Sequence, residues 1–245
     1  MELNISSLTR IYGDPQNGSY FSLQLPDLSL GIPGMVFVMG HNGAGKSLFL
    51  RLLAGEEHPS NDLVKLTLGG REWNPQHTPW PIVRQNVDLN LALDLTVREN
   101  LTLHLSYTTF AGLYRPLTKS RAIIEKLVEN HPEIRRKLDQ PCRYLSGGQK
   151  QALGVIAISA HRLPLLLLDE FLGAADQSTT TLLLRLVSDY TQNTPACALI
   201  VSHDVRLALA HASRILVLRA GRLTKDISSS STEWTESDLR NAIQG

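Results

Sequence analysis

The sequence is poor in the features that mark secreted, metal-bound or nucleic-acid-binding chains. Its two cysteines, Cys142 and Cys197, lie far apart and form no C-x-x-C pair, so we expect ordinary thiols in a reducing compartment. Its eight histidines show no ligand-like spacing, which argues against a structural metal. Lys and Arg number 24 against 23 Asp and Glu, with no basic tract, so the charge gives no support for a nucleic-acid partner.

Long apolar runs are also missing. The longest are ALGVIAISA and LPLLLL, and both are far shorter than the roughly 20 residues that a membrane-spanning helix needs. The first residues, MELNISSLTRIYG, contain neither a basic segment nor an apolar core, so we expect no signal peptide. Any membrane role is therefore expected to depend on docking onto another protein.

The composition is that of a large folded domain. The 245 residues are 42% hydrophobic and 19% charged, which is enough apolar material for a substantial core. Buried-strand candidates (MVFVMG, LPLLLLDE, ACALIVSHD) alternate with helix candidates (GKSLFLRLLAG, STTTLLLRLVSDYTQ, VRLALAHA). This alternation predicts an α/β fold with a mainly parallel sheet covered on both faces. We predict a core formed by residues 1–84 and 161–227, a helical subdomain over 85–160 and a tail over 228–245.

Local signals indicate where several elements begin and end. Thr96 and Glu99 form a capping-box pattern, and the helix candidate SRAIIEKLVENHP is expected to stop at Pro132. LVKLTLGG is a strand candidate, REWNPQHTPWP a proline-broken connector, and RILVLRAGRL a strand pair turning at Ala220 and Gly221. The serines at 228–231 are expected to form a flexible join to a short last helix.

The segment GHNGAGKS, Gly40 to Ser47, matches the complete phosphate-loop pattern G-x-x-x-x-G-K-[ST] between a strand and a helix. Its glycines allow backbone N–H groups to turn toward phosphate oxygens, and the helix N-terminus adds the positive end of its dipole. Lys46 is expected to bridge the β- and γ-phosphates, and the Ser47 hydroxyl to bind Mg²⁺. We assign nucleotide binding to Gly40, His41, Asn42, Gly43, Ala44, Gly45, Lys46, Ser47 and Leu48.

The strand LLLLDE provides two carboxylates near this loop. A parallel strand delivers its last residues to the sheet edge where such folds bind ligands. Asp169 is expected to hold Mg²⁺ through water, and Glu170 to orient and polarise the attacking water. The competing interpretation is a pair of solvated acids that close a strand.

A second glycine-rich turn, LSGGQKQ from Leu145 to Gln151, also precedes a helix candidate. Its local chemistry suits a helix cap, with Ser146 at the N-cap position. Taken in order, the phosphate loop, LSGGQKQ, LLLLDE and His203 in IVSHD resemble the motifs of ATP-binding cassette (ABC) ATPases, over about Leu3 to Ile227. The resemblance implies a P-loop NTPase core, an N-terminal antiparallel β portion and an inserted α-helical subdomain that carries LSGGQ.

The same resemblance implies a role for the second turn. In ABC proteins this turn closes over the ATP held by a second subunit, so the resemblance assigns contacts with the γ-phosphate to Ser146, Gly147, Gly148 and Gln149. It also makes His203 the switch histidine, which contacts the γ-phosphate and acts with Glu170 and Lys46 in hydrolysis. The alternative is a structural histidine at the end of a buried strand.

Three further roles come from the resemblance, each with a simpler alternative. Gln85 corresponds to a glutamine that binds Mg²⁺ and water, or is a plain polar loop residue. Asp176 corresponds to an aspartate at the dimer interface, or caps the helix that begins at Gln177. Tyr12 corresponds to the aromatic residue that stacks on adenine, with Tyr20 and Phe21 as rivals, or is a packed strand aromatic.

The chain departs from the family pattern at a few positions. Phe171 and Leu172 follow Glu170 where proline and then threonine or serine are usual. Ala175 stands where leucine is usual, and Leu48 where threonine is usual. Lys46 and Glu170 are among the residues left intact.

The resemblance favours the ATP-hydrolysing subunit of an ABC transporter, a homo- or heterodimer that uses ATP and Mg²⁺ and acts with integral membrane subunits. Such a subunit is cytoplasmic and peripheral on the inner face of the cell membrane, with no nucleic-acid partner. The segment DLNLALDLTVRENL lies where the family receives its membrane subunits, although the alternating Leu89, Leu91, Leu93 and Leu95 equally predict a half-buried strand. The alternatives are a soluble ABC ATPase of cofactor assembly, translation or DNA repair, and a regulatory nucleotide-binding module without turnover.

Overall fold

The computed structural model describes residues 2–14, 19–60, 66–68, 71–74, 80–107, 117–173, 175–228 and 234–244. The chain divides into two compact units, one over residues 1–82, 164–170 and 191–245 and the other over 83–163 and 171–190. The strands are β1 (Glu2–Ile5), β2 (Leu8–Asp14), β3 (Ser19–Leu25), β4 (Leu28–Gly31), β5 (Gly34–Met39), β6 (Leu66–Leu68), β7 (Arg71–Trp73), β8 (Ile82–Arg84), β9 (Leu165–Asp169), β10 (Cys197–Val201), β11 (Arg214–Arg219) and β12 (Arg222–Ser228). The helices are α1 (Lys46–Ala54), α2 (Val97–Tyr107), α3 (Leu117–Leu127), α4 (Pro132–Arg135), α5 (Gly147–Ser159), α6 (Gln177–Asn193), α7 (Val205–His211) and α8 (Glu236–Gln244).

The first unit is built on two sheets. The larger runs in the order β2-β3-β12-β11-β5-β10-β9, and β8 continues it where the chain leaves this unit after Ile82. Strands β11, β5, β10 and β9 are parallel, whereas β2–β3 and β11–β12 are antiparallel pairs. The smaller sheet, β4-β1-β6-β7, is antiparallel. The predicted α/β fold with a mainly parallel sheet and an N-terminal antiparallel β portion is confirmed.

The central strands are apolar because they are covered on both faces. All five residues of β10 are buried, as are the last four of β5 and the first four of β9. Parallel strands in this position read as continuous hydrophobic runs rather than alternating ones. Register pairs Val201 with both Val38 and Asp169, so the segments that follow β5, β9 and β10 emerge side by side at one sheet edge.

The second unit consists mainly of helices α2 to α5 and the part of α6 that extends to Tyr190. The predicted capping box at α2 is present, because Thr96 N–H donates to the Glu99 carboxylate at 2.7 Å and Glu99 N–H to the Thr96 hydroxyl at 3.2 Å. The predicted end of the next helix at Pro132 is wrong. Helix α3 ends at Leu127, and Pro132 instead begins the short helix α4, where its missing N–H costs nothing.

Two further local predictions need correction. The segment expected to be only a connector contains β7, Arg71–Trp73, paired with β6. The half-buried strand considered for the alternating leucines does not form, because Val87–Asn90 is a 3₁₀ turn that leaves Leu89 70% exposed and Leu91 7% exposed. The strand pair at Ala220-Gly221 and the last helix, α8, are confirmed. Of the serine run, residues 229–231 lie outside the described residues.

Both cysteines are free and buried. Burial raises the pKa of Cys142 to about 11 and that of Cys197 to about 12, so both thiols are neutral at pH 7. Within the described ranges, no helix is both long enough and apolar enough to span a membrane.

Candidate active site

The phosphate loop links β5 to α1 at the carboxyl edge of the parallel strands. Gly40, Gly43 and Gly45 adopt φ values of 148°, 79° and 99°, which L side chains rarely tolerate. Space is a second constraint, since a Cβ on Gly40 would clash with the Leu218 carbonyl oxygen and one on Gly45 would lie 2.9 Å from Leu23 Cδ1. The loop therefore needs glycine for both its conformation and its packing, and it leads directly into the N-terminus of α1.

Lys46, the first residue of α1, folds its side chain back into this loop. Its ammonium donates hydrogen bonds to the carbonyl oxygens of Gly40 at 2.8 Å and His41 at 2.9 Å, and the residue is 5% exposed. Burial lowers the pKa of Lys46 below its ordinary value, and the nearby carboxylates of Glu170 and Asp169 oppose this shift. The cation is held at the mouth of the loop, where a phosphate would replace carbonyl oxygens as its acceptor.

Ser47 and Asp169 meet although they are far apart in sequence. The Ser47 hydroxyl donates to Asp169 Oδ1 at 3.0 Å, which joins the first turn of α1 to the end of β9. A hydroxyl and a carboxylate oxygen side by side are the hard ligands that Mg²⁺ prefers, and Mg²⁺ is usually held by one or two protein oxygens plus phosphates and water. These two residues therefore fit a Mg²⁺ ion bound together with a nucleotide.

Glu170 and His203 form the other pair at this edge. His203 Nε2 lies 2.8 Å from Glu170 Oε1, and both side chains are partly exposed. Glu170 has a φ of 49°, which is unusual for a residue with a side chain, while its N–H donates to the Val201 carbonyl oxygen at 3.1 Å. Such strain persists where the surrounding structure enforces it, often at functional sites. The turn ends the buried strand and presents the carboxylate to the imidazole.

The remaining loop residues divide between surface and core. His41 and Asn42 are exposed at the tip of the loop. Ala44 and Leu48 are buried, so the Leu48 side chain packs in the core and only its backbone is available to a ligand. Sequence patterns assign both kinds of residue to nucleotide binding without distinguishing them.

Tyr12 lies on the face of the β2–β3 hairpin that approaches the phosphate loop. Antiparallel register sets it opposite Phe21, so both project from the same face, while Tyr20 projects from the other. Phe21 is close enough to the loop that a Cβ on Gly45 would lie 3.2 Å from its ring. The Arg10 guanidinium covers the Tyr12 ring at 4.6 Å from its centroid. Arg10 was not identified from the sequence, although strand alternation puts it on this face.

In the second unit, the LSGGQ turn is an ordered helix start. The Ser146 hydroxyl accepts from Gln149 N–H at 3.3 Å, and Ser146 N–H donates to Gln149 Oε1 at 3.1 Å. Lys137 Nζ also donates to Gln149 Oε1, at 2.8 Å. The predicted cap is therefore present as a full capping box at the start of α5.

The two glycines of this turn have different surroundings. A Cβ on Gly147 would meet no described atom within 4 Å, whereas one on Gly148 would lie 2.7 Å from the Thr179 side chain. Both residues belong to the first turn of α5 and have no need of a positive φ. Packing explains the glycine at 148 but not the one at 147.

Gln85 and Asp176 also belong to the second unit. Gln85 is exposed in the turn after β8. Asp176 accepts from Thr179 N–H at 2.7 Å and from the Ser178 hydroxyl at 2.8 Å, so it caps α6 as the simpler alternative predicts. These contacts lower the pKa of Asp176, with the Thr179 N–H as the largest cause.

The protein-family profile described as ABC transporter matches residues 25–173. The chain is 27% identical over 92% of its length to the tyrosine transport ATP-binding protein of Clostridioides difficile and spans 91% of that protein. It is 34% identical over 82% of its length to the aliphatic sulfonates import ATP-binding protein SsuB of Burkholderia pseudomallei but spans 56% of it.

A solved structure supports the fold independently. The chain resembles a dimeric ATP-binding cassette in a post-hydrolysis state, bound to ADP and Pi, with a TM-score of 0.73 and 20% identity. The likeness covers 93% of this chain and 98% of that one.

Proposed function

The chain belongs to the ABC transporter family as an ATP-binding, ATP-hydrolysing subunit, and we propose that it dimerises around two ATP molecules to drive substrate movement through separate membrane subunits. The observation that carries this proposal is the convergence of Lys46, Ser47, Asp169, Glu170 and His203 at one sheet edge. A phosphate loop alone would support nucleotide binding, whereas the added carboxylate–imidazole pair supports hydrolysis.

Each of these side chains has a defined task in phosphoryl transfer. Lys46 binds the β- and γ-phosphates and neutralises the charge that develops on them. Glu170 accepts a hydrogen bond from the attacking water, and His203 holds the Glu170 carboxylate and contacts the γ-phosphate. Ser47 and Asp169, with Gln85, would hold Mg²⁺, which screens the phosphate charges when bound. This set argues against a regulatory module without turnover.

Recognition of the nucleotide extends beyond the phosphates. We assign adenine stacking to Tyr12, which lies on the loop-facing side of the hairpin. It shares that side with its rival Phe21, whereas its rival Tyr20 projects from the other face. Ser146, Gly147, Gly148 and Gln149 contact the γ-phosphate of the ATP bound by the second subunit, with Asp176 at the same dimer interface. The solved neighbour of the same fold, a dimer bound to ADP and Pi, supports the dimer part of this proposal.

A surface turn supports coupling to membrane subunits. Leu89 is a large exposed apolar side chain, in the segment where docking is expected. The same turn is hydrogen-bonded to α5, the helix that begins within LSGGQ, because Lys150 Nζ donates to Asp88 Oδ1 at 2.9 Å. A Cβ on Gly154 of that helix would lie 3.0 Å from Val87. Movement of a docked subunit would thus reach the α5 turn through direct contacts.

The relatives favour transport over the soluble alternative, since both are named as transport or import ATP-binding proteins. We place the chain on the inner face of the cell membrane, attached through its membrane subunits rather than through lipid. In this proposal the second ATPase subunit of the dimer is either an identical chain or a related one.

The test measures ATP hydrolysis by the chain and its attachment to membranes. The purified chain should release phosphate from Mg²⁺-ATP, and it should sediment with membranes only when its membrane subunits are coexpressed. Leu89→Asp should weaken sedimentation at least about fivefold while leaving phosphate release by the isolated chain unchanged, because the side chain is exposed and forms no part of the catalytic set. Absence of phosphate release, or equal binding to protein-free liposomes, would contradict the proposal.

A further inference from the structure

The C-terminal helix α8 is firmly docked on the first unit. Thr235 and Asp238 form its capping box, with Thr235 N–H donating to Asp238 Oδ2 at 3.0 Å and Asp238 N–H to the Thr235 hydroxyl at 3.2 Å. Leu239, in the middle of the helix, is completely buried, and α8 packs against α7 and β11. A helix fixed in this way holds its last turn in a defined place.

The start of α8 is fastened to the segment that carries His203. Arg206 Nε donates to Glu236 Oε2 at 3.0 Å, and Glu236 also accepts from Arg240 on its own helix at 2.6 Å. Arg206 lies in the first turn of α7, whose N-cap Asp204 directly follows His203. The backbone that presents the catalytic histidine is therefore connected to α8 by an ion pair as well as by packing.

The end of α8 reaches the catalytic edge itself. A cavity of about 370 Å³ is lined by the loop from Met39 to Asn42, by Ser202 and His203, and by Ile243. Ile243 lies one helical turn beyond the buried Leu239 and is the contribution of α8 to this wall. An apolar side chain thus borders the cavity formed by the tip of the phosphate loop and the catalytic histidine.

We propose that α8 is a positioning element for hydrolysis, in which Ile243 fills one wall of the cavity beside His203 and limits both the positions of that imidazole and the water that surrounds it. The inference rests on the proposed ATPase function of the same site. Ile243 offers no group that could bind phosphate, so its effect should fall on the chemical step rather than on ATP affinity.

The test compares Ile243→Ala, which opens the wall, with Ile243→Leu, which keeps its volume, and with Gln244→Ala, an exposed neighbour on the same helix. Ile243→Ala should lower kcat by about three- to tenfold and leave the Kd for ATP within about twofold. Ile243→Leu and Gln244→Ala should keep the wild-type kcat. Thermal melting of all three variants should remain close to wild type, because Ile243 is partly exposed and Gln244 is exposed.

A second set of variants, which lack His203, separates positioning of His203 by Ile243 from a general structural effect. Single-turnover phosphate release is measured for His203→Ala alone and combined with Ile243→Ala. If Ile243 acts through His203, the added substitution should change the residual rate by less than about twofold. An unchanged kcat in Ile243→Ala, or the same fold loss with and without His203, would overturn the proposal.

Wild type and Glu170→Gln are run in the same assay. No phosphate release by wild type would contradict the proposed ATPase function. Release by wild type that stops in Glu170→Gln but is unaffected by Ile243→Ala would contradict only the role of α8.

Discussion

The phosphate loop and the LSGGQ turn are both glycine-rich and both open a helix, yet they need glycine for different reasons. In the phosphate loop, the glycines take left-handed φ values, and Lys46 and Ser47 are tied to residues of the same unit. In the LSGGQ turn, Ser146 is an extended N-cap, Gly147 and Gly148 are helical, and a Cβ on Gly147 would meet no described atom within 4 Å. A helical glycine costs about 0.5–1 kcal/mol relative to alanine. We therefore infer that the fold around Gly147 does not require a glycine there, and that its role lies in what the turn contacts.

Removing the Lys46 ammonium from the phosphate loop should have the largest effect on turnover. Lys46→Ala should lower ATP turnover at least about 100-fold, because it deletes charge-assisted hydrogen bonds worth roughly 1.5–3 kcal/mol each. Steady-state phosphate release measures the effect, with Arg51→Ala on the exposed side of the same helix as the control. Near-normal turnover of Lys46→Ala would mean that the loop does not bind the triphosphate.

Glu170→Gln separates binding from hydrolysis within the same site. The amide keeps the shape of the side chain but is a poor base, so turnover should fall by about 10²–10⁴ while ATP still binds. The trapped state should run as a dimer in size-exclusion chromatography with Mg²⁺-ATP, and Glu129→Gln on the surface should behave as wild type. Hydrolysis by Glu170→Gln at the wild-type rate would remove Glu170 from the proposed role of base.

A smaller effect is expected at the adenine end. Tyr12→Ala should weaken ATP binding about twofold to twelvefold, since aromatic stacking is worth roughly 0.5–1.5 kcal/mol. Binding of inorganic tripolyphosphate, which has no base to stack, should be unchanged. The control is Tyr20→Ala, which removes a 53% exposed ring from the opposite face of the hairpin. A larger loss of ATP affinity in Tyr20→Ala than in Tyr12→Ala would reverse the assignment.

The smallest effects are expected when Gly147 and Gly148 are each replaced by alanine and the free energy of unfolding is measured. Gly147→Ala should leave the free energy of unfolding unchanged or raise it by up to about 1 kcal/mol, as helix propensity predicts. Gly148→Ala should lower it by about 1–3 kcal/mol, because its Cβ would press on Thr179. Urea unfolding of the two variants decides the matter, and a marked loss of stability in Gly147→Ala would show that its own unit needs that glycine.

Much of this arrangement could be predicted because it depends on local chemistry. The glycine spacing indicates the phosphate loop, and a buried apolar strand that ends in two acids implies that both carboxylates reach the sheet edge. Strand alternation and parallel register then bring Ser47 to Asp169 and Glu170 to His203. Because the order of strands and helices fixes which loops meet at the sheet edge, the motifs predict that these side chains lie together.

Other features could not be predicted because they depend on tertiary packing. The leucine alternation at 89–95 suits a strand as well as a turn, and only the fold decides that Leu89 is exposed and Leu91 is buried. Nothing in the tail indicates that Ile243 reaches the cavity beside His203, since that depends on where α8 docks. The position of Arg10 above the Tyr12 ring is an intermediate case. Strand alternation predicts that the two side chains share a face of the hairpin, but it does not predict that they are in contact.

We propose that the LSGGQ turn of one chain completes the ATP site of another, so that Lys46 and Gly147 of a single chain serve different sites. Gly147→Asp adds a carboxylate where the backbone must approach a phosphate, while its Cβ would meet no described atom within 4 Å in its own unit. Homodimers of Gly147→Asp and of Lys46→Ala should therefore both be inactive.

The most direct measurement mixes these two inactive variants and follows phosphate release. A mixed dimer has one site with both lesions and one with neither, so random mixing should restore at most about a quarter of the wild-type rate. Restored activity that rises with the fraction of mixed dimers is the predicted result. An inactive preparation of verified mixed dimers, or activity of Gly147→Asp on its own, would contradict the account.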